Sequence, residues 1–104
     1  MLFVLFCEDK ADSEALRLAN REQHLAFIST KSEMIRLAGP MFSDDGEQMI
    51  GSMFVIDAGS IDEVRALNAE DPYTHAGLFG NVMRSFLLTR YDRRNPHVPF
   101  QTLS

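Results

Sequence analysis

The stretch from Ser13 to Glu33 carries a histidine and two arginines whose spacing would bring them together on a helix. At 100° per residue, Arg17, Arg21 and His24 fall within an arc of about 60°. An imidazole titrates near neutral pH and can act as a general base or acid, while guanidinium groups bind anions. The pattern therefore predicts either an acid–base site with an anion-binding edge, or a solvated helix face whose arginines pair with glutamates of the same helix.

A catalytic imidazole needs a group that orients it, and two aspartates are candidates for that role. Asp71 precedes Pro72, which keeps its backbone extended and out of the preceding helix. Asp9 ends the first predicted strand, just before the helix of His24. Asp-Pro is also an ordinary helix stop, so the sequence leaves both aspartates open as partners of His24.

Two glycine-containing pairs are weaker candidates for ligand contact. Gly39-Pro40 and Gly51-Ser52 could bring bare backbone close to a ligand, although turn geometry explains them equally well. They add Gly39, Pro40 and Ser52 to the candidate substrate contacts, beside Arg17 and Arg21.

Metal and cofactor sites are not predicted. The single cysteine, Cys7, excludes a Cys-rich zinc site within one chain, and its place in an apolar run indicates packing. His75 and His97 have no partners at metal-ligand spacing, and the chain has no phosphate loop, dinucleotide fingerprint or Gly-x-Ser-x-Gly elbow.

The elements that must position these residues alternate between strands and helices. Apolar Leu16, Ala19, Ala26 and Phe27 are expected to anchor the first helix to a core. Gly39-Pro40 is expected to close the second strand, and the fourth strand is expected to start irregularly at Gly80. The predicted strands cover residues 2–8, 35–38, 51–57 and 78–91, the helices cover 13–33 and 61–70, and a polar turn covers 42–48.

The order β-α-β-β-α-β folds most simply as an α+β domain, a four-stranded antiparallel sheet with both helices on one face. The other face would then expose Phe and Met side chains, so we expect a homodimer joined through its sheet faces. The domain is expected to cover residues 1–91. Residues 92–104 contain two prolines and no periodicity, and they form either a flexible tail or an arm on the partner.

Composition narrows the partners and the compartment. The formal net charge of -5 argues against general nucleic-acid binding, in spite of four arginines near the C-terminus. The apolar opening of six residues is too short for a signal peptide, and no run reaches the roughly 20 residues of a membrane span. Together with the single cysteine, these features predict a cytoplasmic protein with a small-molecule ligand and no membrane contact.

Several ordered motifs resemble one known family. The opening Met1-Leu-Phe-Val-Leu-Phe-Cys-Glu-Asp-Lys and the helix motif Arg17-Leu-Ala-Asn-Arg-Glu-Gln-His24 are followed by Ala38-Gly-Pro, Gly51-Ser52, Asp71-Pro-Tyr73 and Ala76-Gly77. In this order they closely resemble the YciI-like, or YCII-related, family over roughly residues 1–88.

The resemblance implies a ferredoxin-like fold that forms a dimeric α/β barrel. It also implies that His24 and Asp71 are the catalytic pair, and it adds Tyr73 of the same motif to the candidate substrate contacts. One related branch acts as a dehydrochlorinase on chlorinated hydroxyquinones. The hypothesis is therefore a small enzyme without a cofactor that performs lyase or hydrolase chemistry on a cyclic or anionic metabolite, and the alternative is a binding or accessory dimer without chemistry.

Overall fold

The computed structural model describes residues 1–87, 89–90 and 101–102 of the 104-residue chain. Its elements, in chain order, are β1 (Leu2–Asp9), α1 (Glu14–Thr30), β2 (Ile35–Phe42), β3 (Met49–Asp57), α2 (Ile61–Ala69), α3 (Pro72–His75), β4 (Phe79–Leu87), β5 (Thr89–Arg90) and β6 (Gln101–Thr102). Among the described residues, no helix is both long and apolar enough to cross a membrane. The predicted alternation is present, with the one-turn helix α3 as an addition.

The main sheet has four strands in the order β2-β3-β1-β4, and each neighbouring pair is antiparallel. The predicted α+β class with a four-stranded antiparallel sheet is confirmed. Because β1 lies between β3 and β4, both of its edges are paired within the sheet, and its side chains point alternately to the two sheet faces. Its side chains alternate accordingly: Phe3, Leu5 and Cys7 are buried, while the residues between them are only partly buried.

The core lies between one face of this sheet and the helices. Phe54 and Ile56 of β3 join the buried residues of β1, and Val64 and Leu67 of α2 pack against them. Helix α2 is fixed at its start by Ser60, whose hydroxyl accepts a hydrogen bond from the Glu63 backbone N–H at 3.3 Å.

The opposite sheet face is apolar and less covered. Val4 pairs with Val55 and Phe6 pairs with Met53 across β1 and β3, and all four side chains are partly exposed. Leu37 of β2 lies beside Val55 and is 56% exposed. This face is the one that the sequence predicts to be shared with a second copy.

Strand β2 differs from its prediction, because Gly39-Pro40 lies inside the strand and not at its end. Proline lacks an N–H and is normally excluded from a sheet interior, but β2 is an edge strand, so only one of its sides needs ladder hydrogen bonds. Pro40 consequently pairs in register with Ser52. The turn shortens to residues 43–48.

Helix α1 also differs from its prediction, because the residues expected to anchor it are not the buried ones. Ala19 and Ala26 are exposed, whereas Arg17 and His24 are buried. Phe27 is partly buried against the core, as expected. The reversal arises because Asp9 at the end of β1 receives Arg17 and Asp71 before α3 receives His24, so polar contacts replace apolar ones there.

The C-terminal part departs further from the prediction. The expected irregular start of β4 is present, because Asp9 pairs with Phe79 but Cys7 pairs with Met83. The single strand expected over residues 78–91 is wrong, since Thr89–Arg90 pair with Gln101–Thr102 in a separate two-stranded sheet. Apart from Gln101–Thr102, the tail expected at residues 92–104 lies outside the described residues.

Candidate active site

His24 forms the centre of the site, and Asp71 is its partner. The Nδ1 atom of His24 lies 2.8 Å from Oδ1 and 3.1 Å from Oδ2 of Asp71, and both residues are buried. An ionised carboxylate only accepts hydrogen bonds, so Nδ1 of His24 carries the proton and donates a hydrogen bond to Asp71. This tautomer leaves Nε2 with a free lone pair, which is the state required of a base.

The orientation of the His24 ring is fixed by two aromatic side chains as well. Tyr73 stacks on the imidazole with ring centroids 3.9 Å apart and an interplanar angle of 12°. Phe54 meets the imidazole edge-on at 6.2 Å. Because the hydrogen bond and the stack restrain different rotations of the ring, the imidazole is held in one position.

One short segment supplies both main partners of His24. Asp71 caps helix α3, and its Oδ1 accepts the Tyr73 backbone N–H at 2.9 Å while it also contacts His24. Pro72 is the first residue of α3, where its missing N–H costs nothing. The Asp-Pro-Tyr sequence therefore forms a turn that presents a carboxylate and an aromatic ring to the same imidazole.

Arg17 is engaged by Asp9 in a buried ion pair. Its Nε and Nη2 atoms each donate to a carboxylate oxygen of Asp9 at 2.8 Å, and Nη2 also donates to the Ser52 hydroxyl at 2.9 Å. Burial works to lower the pKa of the Arg17 guanidinium, but its hydrogen bonds and charge attraction to Asp9 outweigh burial and raise that pKa. Arg17 thus ties α1 to the end of β1 and to Ser52 within β3.

Tyr73 also contacts Arg17, whose Cζ atom lies 4.8 Å from the centre of the Tyr73 ring. Arg17 and His24 are seven residues apart on α1, so Tyr73 bridges two positions separated by two helical turns. Burial raises the pKa of the Tyr73 hydroxyl, and the positive charges of Arg17 and Arg21 offset this effect only in part. The hydroxyl is therefore protonated at neutral pH and can donate a hydrogen bond.

Arg17, His24 and Tyr73 form one wall of a cavity of about 140 Å³. Its lining residues come from α1, β2, β3 and α3, namely Arg17, Arg21, His24, Leu25, Ile28, Ala38, Gly39, Pro40, Met49, Ser52 and Tyr73. Among the described residues, no contact occupies Nε2 of His24, and Arg21 takes part in no ion pair. The cavity thus offers a free imidazole nitrogen and, at its exposed rim, a free guanidinium.

A larger and more open cleft of about 440 Å³ lies beside the β1–α1 loop. It is lined mostly by exposed residues such as Lys10, Asp12 and Gln48, and His24 does not border it. The smaller cavity is therefore the candidate active site, because it is the one that contains the imidazole.

Cys7 and Asn68 lie behind the site. The Cys7 thiol is fully buried, and its Sγ lies 3.7 Å from the Asn68 side-chain oxygen. Burial, with the negative charges of Asp71 and Asp9, raises the pKa of Cys7 to about 12, so the thiol is neutral. Within the described residues, no group of three His, Cys, Asp or Glu side chains is arranged to hold a metal ion.

Comparison with known sequences places the chain in a family. The YCII-related domain matches residues 1–83, which is most of the chain. This protein belongs to the YCII-related family. Protein YciI of Escherichia coli O6:H1 is 35% identical over 89 residues, covering 79% of this chain and 91% of that protein. An uncharacterized protein of Haemophilus influenzae is 32% identical over 90 residues, covering 80% and 92% respectively.

A solved structure of similar shape comes from Burkholderia phenoliruptrix AC1100. It is the 5-chloro-2-hydroxyhydroquinone dehydrochlorinase TftG in complex with 2,5-dihydroxybenzoquinone, and it superposes with a TM-score of 0.73 at 31% sequence identity. The match covers 88% of this YCII-related chain and 94% of TftG. The likeness therefore extends over nearly the whole of both chains.

The structure brings together every site residue that the sequence of this YCII-related protein singles out, but with different contacts. Asp71, and not Asp9, lies beside His24, while Asp9 is bound to Arg17. Arg17 is consequently not a free anion-binding group, and of the two arginines only Arg21 remains at the rim.

Sequence reasoning missed four contributors to the cavity, among them Ala38, which directly precedes the predicted contact Gly39. Leu25, Ile28 and Met49 line the cavity as well. Leu25 lies four residues after Arg21 and Ile28 lies four residues after His24, so helical spacing from the predicted site residues could have found both. Met49 lies between the predicted turn at 42–48 and the predicted strand at 51–57, and no sequence signal marks it.

Proposed function

We propose that this protein is an enzyme without a cofactor in which His24 transfers protons on a small ring that bears oxygen substituents. The observation that carries the proposal is the 2.8 Å contact between Asp71 and Nδ1 of His24 at the wall of the cavity. Asp71 orients the imidazole and stabilises its protonated form, as an orienting carboxylate does for other catalytic histidines. Nε2 is then the atom that takes or returns the substrate proton.

The size of the cavity supports a single six-membered ring as substrate. Its volume of about 140 Å³ is close to the roughly 150 Å³ of an engineered protein cavity that accepts benzene. TftG, the similar structure, is a dehydrochlorinase of a hydroxylated ring and holds 2,5-dihydroxybenzoquinone. We therefore expect a hydroxylated ring or its keto tautomer here too.

The charges around the cavity favour an ionised oxygen on that ring. Asp9 compensates Arg17, whereas Arg21 at the rim has no acidic partner among the described residues. Arg21 would therefore bind the ionised oxygen, and the Ser52 and Tyr73 hydroxyls would offer hydrogen bonds to a second one. Gly39 and Pro40 would form the opposing wall along β2.

The reaction can be written as an elimination that balances. Nε2 of His24 takes a hydroxyl proton from the keto tautomer of a chlorinated hydroxylated ring. The electron pair of the broken O–H bond forms a carbonyl, and the π electrons of the ring shift towards the carbon that bears chlorine. Chloride then leaves with the electron pair of the C–Cl bond. The substrate loses one proton and one chloride ion, and no oxidant or reductant is consumed.

The test is turnover of 5-chloro-2-hydroxyhydroquinone, followed by chloride release and by quinone absorbance. We expect H24A to lose about 10²–10⁴-fold in turnover, the range for removal of a general base. The exposed histidine of α3 gives a matched control, so H75Q should keep the wild-type rate. Equal rates for H24A and wild type would refute the role of His24.

A second outcome would favour a binding protein over an enzyme. In that case 2,5-dihydroxybenzoquinone would bind the wild type in calorimetry, and no processed product would appear after long incubation with any ring tested. Such a result would leave the cavity as a capture site and would remove the proposed proton transfer.

We also propose that the domain has the ferredoxin-like arrangement and forms a homodimer through its open sheet face. The support is the apolar character of that face, with Val4, Phe6, Met53 and Val55 partly exposed and Leu37 largely so. A cytoplasmic location would suit the free Cys7 thiol.

A further inference from the structure

Among the described residues, Met49 alone lines both the active-site cavity and the larger open cleft. It is the first residue of β3, where it pairs with Phe42 of β2, and its side chain is half-buried. Ile50, the next residue, lines only the outer cleft. The two spaces therefore meet at one flexible thioether side chain.

Resting on the proposed function, we propose that Met49 is the specificity-determining partition that limits the substrate to a single ring. The cavity of about 140 Å³ is filled by one six-membered ring, whereas the cleft beyond Met49 measures about 440 Å³. A fused second ring or a ring substituent can extend only where the wall gives way to open space. On the side of the cavity formed by the start of β3, that place is Met49.

The buried polar residues of α1 and the β2 segment of the wall cannot yield in the same way. Arg17 and His24 are buried and bound to Asp9 and Asp71, so moving either would break a buried ion pair or hydrogen bond. Pro40 is part of the backbone of β2. Met49 has an unbranched side chain with three rotatable bonds, so its truncation removes a barrier without disturbing a polar contact.

The chemistry of the outer cleft indicates what could extend into it. Its lining is polar and contains more acidic than basic side chains, with Asp12, Glu14, Lys10, Ser13 and Gln48 among its residues. It would thus receive a second ring that carries hydrogen-bonding oxygens in preference to a purely apolar chain. The ligand class that shortening Met49 would admit is therefore the fused, oxygenated bicyclic quinone.

The test compares two probes by isothermal titration calorimetry, 2,5-dihydroxybenzoquinone with one ring and 5,8-dihydroxy-1,4-naphthoquinone with two oxygenated rings. We expect wild type to bind the one-ring probe and to discriminate against the two-ring probe, and M49A to bind the two-ring probe about tenfold more tightly than wild type does. M49L preserves side-chain volume and should keep wild-type discrimination. I50A, the matched control in the outer cleft, should do so too.

Each other outcome overturns the partition. The partition is overturned if M49A binds the two-ring probe no more tightly than wild type does, or if I50A shows an equal gain. It is also overturned if no variant binds the one-ring probe. Thermal unfolding of each variant shows whether it is folded. If the unfolding temperature of M49A is lowered, the test is decided by the discrimination that M49L and I50A show between the two probes. A selective gain in M49A, together with equal turnover of the chlorinated ring by H24A and wild type, would uphold the partition while overturning the role of His24 as a base.

Discussion

His24 depends on side chains that come from distant parts of the chain, yet its two closest partners are separated by only one residue. Asp71 and Tyr73 flank Pro72, so a single turn places a carboxylate 2.8 Å from Nδ1 and an aromatic ring 3.9 Å from the imidazole. The hydrogen bond selects the tautomer and the stack selects the ring plane. The proposed base is thereby prepared before any ligand enters.

Cys7 gives a prediction at the same scale. Its pKa is raised from 9.0 to about 12 in the folded protein, first by burial and then by the charges of Asp71 and Asp9. Between these values the unfolded chain loses the proton that the folded chain keeps, so stability falls as the pH rises from about 9 towards 12. At about 1.4 kcal/mol per pH unit, the loss in unfolding free energy reaches about 4 kcal/mol.

Urea unfolding at a series of pH values measures this slope. The C7A variant lacks the thiol and should show a shallower decline than wild type between pH 9 and 11. Parallel declines for the two proteins would mean that Cys7 ionises as easily in the folded state as in the unfolded one.

At the scale of elements, α1 is held to the sheet by polar side chains to an unusual degree. Arg17 and His24 are its buried residues, whereas Leu18 and Leu25 are 66% and 46% exposed. Apolar anchoring is limited to residues such as Phe27 and Ile28, which are partly buried on the core. The ion pair of Arg17 with Asp9 is therefore a main fastening of α1 to β1.

We expect D9N to destabilise the protein by about 3–5 kcal/mol, because it leaves the Arg17 guanidinium charged and buried without a counter-charge. The measurement is the free energy of unfolding in urea. E14Q removes an exposed carboxylate from the first turn of α1 and should change this value little. A loss below 1 kcal/mol in D9N would contradict the structural role of the pair, and D9N/R17M should recover part of the loss.

The strands and helices could be predicted from the sequence because their signals are local. The apolar run of β1, the uninterrupted stretch of α1 and the stop at Asp71-Pro72 each depend on neighbouring residues. The inward face of α1 could not be predicted from the sequence, since Arg17 is buried only because it pairs with Asp9 of β1. The same non-local cause decided which aspartate lies beside His24.

At the scale of the whole molecule, the two sheet faces differ in what they contact. One face carries the core and the site, and the other presents Val4, Phe6, Met53, Val55 and Leu37. A purely local pattern sufficed to predict that second face, because alternation along a strand assigns every second residue to it.

We expect wild type to sediment as a dimer and F6K to shift towards monomer, because a lysine charge would have to be buried between the two sheets. Sedimentation velocity over a range of concentrations measures this shift. L18K introduces the same charge at an exposed position of α1, outside the sheet face, and should leave the dimer intact. A monomeric wild type, or a dimer in F6K, would show that the face serves another purpose.

The inward-facing Arg17 and His24 have a consequence for how this protein can change over evolutionary time. Mutations of these residues would loosen a helix as well as alter the site, so selection for a new substrate would meet a loss of stability on that side. Met49, which is half-buried and makes no ion pair or polar side-chain contact among the described residues, carries no such cost. If the proposed roles hold, substrate specificity can change at Met49 on the strand side of the cavity while the proposed base on α1 stays the same.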